Sequence, residues 1–306
     1  MAILTAKSGS QVAANAQRPC VHLKGITLPG KSVLITGVAS GIGAELCRRF
    51  FSRGYHIIGI DRTQQLAEDA VVALGADATA VACDLSDAAQ VSDVCRKIAT
   101  AWADELEVLI CNAGVITPGD VVELSPAAID VQLAVMLQSP IHFMRAALPQ
   151  FLKRDRGHIM ATVSLGGVVA MPTSATYSAA KAGLRAFLAS LNAEVAGTGV
   201  QVSGIYPSAV DTPMLREEAV SGGSPLNFLS AVQTIEQVAD AYERALKNGQ
   251  LEVYVPWSES VSARLAMWTP ALIPRVIPLL NRIGERGREK YLRTMTSGTP
   301  TNSDNP

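Results

Sequence analysis

Seven short apolar runs, each separated from the next by a stretch of helical length, limit what this chain can fold into. The runs are residues 33–36, 56–60, 79–83, 107–111, 158–163, 200–206 and 251–255. The stretches between them are 42–52, 66–74, 87–102, 127–135 followed by 139–153, 178–196 and 235–247. Strands covered on both faces read as continuous apolar runs, and parallel strands need long crossovers, usually helices. The alternation therefore predicts an α/β fold: a Rossmann-like, doubly wound parallel sheet of about seven strands. Ligands in such sheets sit at the carboxyl ends of the strands, where the strand order reverses. The ends of the first, fourth, fifth and sixth runs are where chemistry is expected.

Composition fits one large core. Hydrophobic residues make up 48% and charged residues 17%, a balance that argues against disorder. The net charge of −1 gives no basic face for nucleic acid, and a neutral or apolar small molecule suits it better. Five cysteines (Cys20, Cys47, Cys83, Cys95 and Cys111) include no C-x-x-C pair, so they read as reduced thiols in a cytoplasmic protein, with no metal site. Residues 157–180 carry no Asp, Glu, Lys or Arg. Their serines, glycines and Pro172 fit a buried strand and an active-site loop rather than a membrane span.

Residues 1–29 read as a flexible leader, 30–256 as a single domain, 257–295 as a helical C-terminal extension and 296–306 as a disordered tail. The extension mixes apolar residues with Pro270, Pro274 and Pro278 and has a net charge of +4. It is expected to pack on an apolar pocket or a neighbouring subunit. Contact with a membrane surface is the lesser alternative, because prolines every four residues should break a continuous amphipathic helix. Residues 214–227, with Gly222-Gly223, read as a mobile lid over the substrate or an ordinary flexible loop.

The first run ends in Thr36-Gly37-Val38-Ala39-Ser40-Gly41-Ile42-Gly43. Glycines there allow a tight turn and close approach to a pyrophosphate, which the free N–H groups and dipole of the next helix attract. Asp61 ends the second run, 18 residues after Gly43. Its carboxylate can accept both adenosine ribose hydroxyls and would repel a 2′-phosphate, so NAD is preferred to NADP. Arg62, beside it, is the feature that favours NADP.

Tyr177 and Lys181 stand four residues apart at the start of a predicted helix, which puts them on one face. A nearby ammonium stabilises a phenolate and lowers its pKa from about 10. A tyrosine so tuned can act as a general acid–base. Ser164, 13 residues earlier at the end of the fifth run, can hold a substrate oxygen near that phenol.

Together these residues resemble the short-chain dehydrogenase/reductase family. The matching pieces are TGVASGIG at 36–43, Asp61, Asp84-Leu85, Asn112-Ala113-Gly114, Ser164, YSAAK at 177–181, and Pro207 through Thr212-Pro213. The resemblance implies that Ser164, Tyr177 and Lys181 are catalytic and that Lys181 also binds the nicotinamide ribose. It implies that Thr36, Gly37, Ser40, Gly41, Ile42, Gly43, Asp61 and Arg62 hold the cofactor. Asp84 and Leu85 would lie at the adenine, with Asn112, Ala113 and Gly114 as the floor. Pro207, Val210 and Thr212 would also bind the cofactor, Thr212 at the nicotinamide amide or diphosphate. The implied activity is NAD(P)-dependent interconversion of a secondary alcohol and a carbonyl on a fairly apolar small molecule. A homo-oligomer, dimer or tetramer, is implied, with 139–153 and 178–196 as contact helices.

The match departs from the family in two places. Where the family usually has an asparagine that holds a proton-relay water, this chain has Met136, which donates no strong hydrogen bond. That motivates an alternative: a cofactor-binding protein with little catalysis. Pro207-Ser208 replaces a common Pro-Gly, which is tolerable if the position needs no positive φ. A nucleotide-sugar epimerase or dehydratase is disfavoured, because those relatives space their glycines G-x-x-G-x-x-G and carry a larger C-terminal domain.

Overall fold

A computed structural model describes residues 31–72, 74, 78–268 and 273–297. The leader, and the tail beyond residue 297, lie outside the described residues. The strands are β1 (Ser32–Thr36), β2 (His56–Asp61), β3 (Ala78–Ala82), β4 (Leu106–Cys111), β5 (Gly157–Thr162), β6 (Val200–Pro207) and β7 (Glu252–Val255). They form one parallel sheet in the order β3-β2-β1-β4-β5-β6-β7. The order reverses between β1 and β4, which places the expected crevice at their carboxyl ends.

The helices of the central domain are α1 (Gly41–Ser52), α2 (Gln64–Val72), α3 (Ala88–Ala99), α4 (Pro126–Leu133), α5 (Ser139–Lys153), α6 (Ala175–Glu194), α7 (Pro213–Ser221) and α8 (Ile235–Asn248). Strand periodicity of two sorts the core into two layers. Val33 and Ile35 of β1 pack with Phe50 of α1 and Tyr242 of α8 on one face. Leu34 packs with Val94 of α3, Phe143 of α5 and Leu184 of α6 on the other. Local signals start the helices where the pattern requires. Asp87 caps α3 by accepting from the N–H groups of Ala89 and Gln90, and Thr234 with Gln237 forms a capping box on α8.

One expectation needs correction. Residues 214–227 are not a glycine-hinged loop. Thr212 caps α7, Pro213 occupies its first position, and Gly222 ends it in a left-handed conformation at φ +95°. A 3₁₀ turn at Pro225–Phe228 follows. The expected helical extension is present as two helices, α9 (Ser258–Trp268) and α10 (Ile273–Ser297), and α10 runs through Pro278. Pro274 falls in the first turn of α10, where the missing N–H costs nothing. Helix α10 lies so close to the 3₁₀ turn that a Cβ on Gly284 would come within 2.2 Å of the Pro225 carbonyl oxygen. One on Gly287 would come within 2.0 Å of that of Phe228. Tyr291 completes this contact by packing on the Phe228 ring and donating to Asp211 Oδ1 at 2.6 Å. No described helix is long and apolar enough to cross a membrane.

Candidate active site

A cavity of about 930 Å³ opens at the carboxyl ends of the strands and runs from Asp61 to Leu280 of α10. Every residue predicted from the sequence to be catalytic or to bind the cofactor lines it except Thr36 and Gly43.

The nucleotide end is built by close approach. Gly37 and Gly41 adopt φ values of +71° and +57°, which favour glycine. A Cβ on Gly43 would fall 1.9 Å from the Gly37 carbonyl oxygen, so α1 and the turn touch backbone to backbone. Ser40 caps α1 without a side-chain hydrogen bond, and no acidic residue stands in the first turn. Its leading N–H groups therefore stay available to an anion. Asp61 accepts from the Ala39 N–H at 2.9 Å and from the Arg62 N–H at 2.8 Å, which ties the second strand's end to the glycine turn. The Asp84 carboxylate is held by Ser86, through its N–H at 2.9 Å and its hydroxyl at 2.6 Å.

Thr36 and Asn112 act as lacing between strand ends. The Asn112 and Ala113 N–H groups both donate to Thr36 Oγ1 at 3.0 Å. Asn112 Nδ2 donates to the Thr36 carbonyl at 3.1 Å, and the Thr162 hydroxyl donates to Asn112 Oδ1 at 2.8 Å. One asparagine thus fixes β1, β4 and β5 beneath the cavity. Thr212 closes the opposite side, its Cγ2 3.3 Å from where a Gly41 Cβ would stand. These features fit a dinucleotide: an open helix N-terminus, a glycine cradle that side chains would fill, and a carboxylate at the second strand's end.

At the other end, Ser164, Tyr177 and Lys181 converge. Ser164 sits at φ +96° and ψ 152°, a sparsely populated region for a residue with a side chain, and the chain around it holds that strain. Its Oγ accepts from the Gly166 N–H at 3.1 Å and hydrogen-bonds the Tyr177 hydroxyl. Lys181 is 3% exposed and donates to the Thr162 carbonyl at 2.8 Å, with its Nζ 5.8 Å from the Tyr177 ring centre. Burial lowers the Lys181 pKa to about 8.

The expected lowering of the Tyr177 pKa by Lys181 does not occur. Burial pushes the phenol up to about 12; the Ser164 hydrogen bond opposes this, and the Glu218 charge adds to it. The ammonium is committed to a main-chain carbonyl instead. A group that brings positive charge or water to the phenol is needed to bring it nearer neutrality.

Met136 is fully buried in a π turn (Ala134–Gln138) that joins α4 to α5. Its sulfur lies 3.9 Å from where a Gly114 Cβ would stand, so it packs under the 112–114 segment. Five-residue turns loosen the usual carbonyl pairing, and here the Ser139 hydroxyl satisfies Val135 at 3.1 Å. Ser208 is not among the residues with positive φ, so serine replaces glycine there without backbone strain.

Sequence reasoning missed Glu218 and Asn227. Both line the cavity, and Asn227 Nδ2 donates to Glu218 Oε2 at 3.1 Å. Helical spacing over residues 213–221 was the available signal: Leu215, Glu218 and Ala219 share the buried face of α7. Of the roles open to the extension, a pocket cover, a subunit contact or a membrane contact, the first has residues on the cavity wall. Glu259, Ser262 and Ala263 of α9 and Val276, Ile277 and Leu280 of α10 line the far end.

Comparison with known proteins agrees with the architecture. The model of the short chain dehydrogenase family matches residues 31–221. A ketoacyl reductase, HetN, from Nostoc sp. is 32% identical over 243 residues, covering 77% of this chain and 83% of that protein. A Burkholderia phymatum short chain dehydrogenase/reductase solved in complex with NAD superposes with a TM-score of 0.70 at 23% identity, over 79% of this chain and 95% of the other. A metagenomic short-chain oxidoreductase in complex with NADP is 28% identical with a TM-score of 0.60, over 74% and 96% of the two chains. With the family model spanning most of the chain and the sheet order in agreement, this protein belongs to the short-chain dehydrogenase family of oxidoreductases.

Proposed function

We propose that the protein interconverts a secondary alcohol and a carbonyl on a fairly apolar small molecule, with NAD as cofactor and Tyr177 as the proton-transfer group. The observation that carries this is the meeting of Ser164, Tyr177 and Lys181 on the wall of the cavity that also holds the glycine turn and Asp61. Nicotinamide, when bound, supplies the hydride acceptor or donor. In oxidation, Ser164 hydrogen-bonds the substrate hydroxyl and Tyr177 takes its proton as the C–H electrons leave the carbinol carbon; in reduction, Tyr177 returns that proton to the oxygen. Lys181 would hold the ribose end of the cofactor. Its attachment to Thr162 fixes it beside the cavity.

Asp61 supports NAD over NADP, because a 2′-phosphate would place an anion against its carboxylate. The cofactor fits the segments at Asp84, Leu85, Asn112, Ala113, Gly114, Pro207, Val210 and Thr212, all on the cavity wall. The apolar residues that α7 and α10 place on the lining, Met214, Leu215, Val276, Ile277 and Leu280, support an apolar substrate body. Free thiols at Cys47, Cys83, Cys95 and Cys111 support a cytoplasmic setting. A homo-oligomer formed through α5 and α6 is part of the same reading.

Met136 favours a second reading, cofactor binding with little catalysis. Purified protein assayed with NAD against a panel of apolar secondary alcohols separates the two. Turnover at ordinary enzymatic rates removes the second reading; NAD binding without turnover on any member removes the first.

A further inference from the structure

Most of the residues lining the substrate end of the cavity are apolar; Asn227, Ser230, Glu259, Ser262 and Glu218 are not. Of these, Glu218 on α7 is the buried one, at 7% exposed, and it lines the same cavity as Met214, Leu226, Val276, Ile277 and Leu280. A buried carboxyl can accept up to four hydrogen bonds. Glu218 receives one among the described residues, from Asn227 to Oε2, and forms no ion pair with any of them. Oε1 has no partner there, yet it is not among the buried atoms sealed from solvent. The cavity is the space it faces. A carboxyl this buried, with acceptor capacity turned to a cavity, is placed to take a donor from whatever occupies that cavity.

The turn after α7 closes through the Glu218 main chain, to which the Gly223 N–H donates at 2.8 Å. The side chain is tied to the 3₁₀ turn by Asn227 through Oε2, which leaves Oε1 to the cavity. It acts on Tyr177 through charge alone, with no hydrogen bond between them. One ligand can then present its carbinol to Tyr177 and a second group to Glu218.

We propose that Glu218 is a substrate-recognition residue: it accepts a hydrogen bond from a hydroxyl or amine that an otherwise apolar substrate carries away from its reacting carbon. This deepens the function proposed above and rests on it. Asn227 orients the carboxyl, and α10 supplies the apolar wall along which the substrate body lies.

The test uses the full chain carrying Tyr177→Phe, saturated with NAD, so that binding is read without turnover. Straight-chain alkan-2-ols of increasing length are titrated by calorimetry, alone and with an added terminal hydroxyl or amine. The expected result is that the terminal group tightens binding about tenfold over a narrow range of lengths, a typical worth for a hydrogen bond to a charged group. Adding Glu218→Leu should erase that gain. Glu218→Gln keeps the shape and one acceptor, and should cut the amine gain more than the hydroxyl gain. No gain at any length, or a gain that survives Glu218→Leu or is equal in Glu218→Gln for amine and hydroxyl, overturns the proposal. Turnover of the plain alkan-2-ols by the unmodified chain reports separately on the oxidoreductase reading. Turnover without a terminal-group gain defeats only the role of Glu218. A gain without turnover defeats only the redox reaction.

Discussion

Replacing Glu218 with glutamine should stabilise the fold, and the stabilisation should depend on pH. Burial raises the Glu218 carboxyl from an ordinary 4.5 to about 7. Below the lower value the carboxyl is protonated whether the chain is folded or not, and the native state carries no penalty. As pH rises from there the unfolded chain ionises while the folded one holds its proton. Stability therefore falls by up to about 1.36 kcal/mol per pH unit and levels off once the folded carboxyl ionises. The gap corresponds to roughly 3 kcal/mol, an order-of-magnitude figure for a residue this buried. Glutamine pays none of it and keeps a group for Asn227 to meet.

Thermal unfolding of both proteins at pH 4.5 and pH 8, without ligand, isolates the effect, because other titrating groups are common to the two. The advantage of the variant should be near zero at the acid end and on the order of 5–10 °C at pH 8. An equal difference at both pH values would refute the reasoning, since the carboxyl would then be paired or hydrated in the native state.

Other expectations follow from close contacts. Gly43→Ala puts a methyl against the Gly37 carbonyl oxygen, and should weaken NAD binding by more than tenfold in fluorescence titration while the sheet still forms. Gly287→Ala drives α10 off the Phe228 carbonyl, and should cost about 1–3 kcal/mol and raise KM more than it lowers kcat; unchanged stability would mean that α10 moves freely. Asp61→Ser should shift the ratio of kcat/KM values toward NADP, with Arg62 left to meet the 2′-phosphate; an unchanged ratio would remove Asp61 from cofactor choice. Met136→Asn should raise turnover if a relay water is missing; no change or a loss would mean that the relay runs elsewhere.

The sheet and its helices were legible because both periods are written in side chains. Runs such as 33–36 and 107–111 are apolar on both faces, and a parallel sheet is the arrangement that buries them. The proposed catalytic trio and the glycine turn were legible as spacings within a chain of expected strand ends. Helix α7 was hidden because its proline and glycines look like loop punctuation when they are in fact its start and its stop. The helical extension was legible, and α10 within it tolerates Pro274 because that residue falls in its first turn. Glu218 could not be found while its segment was taken for a loop. The partner of Lys181 was out of reach for a different reason: its acceptor is a main-chain carbonyl on β5, and no side-chain pattern marks a carbonyl. The phenol stays high because burial, which disfavours its ionised form, outweighs the other influences on it.

The claim on which the function rests is that Tyr177 moves a proton at a site that binds NAD independently of it. Tyr177→Phe, assayed for turnover and for NAD affinity in one preparation, tests it directly. The account predicts a rate loss of roughly 10²–10⁴-fold with NAD affinity within a factor of about two. Turnover close to that of the unmodified protein, with NAD still bound, would contradict it.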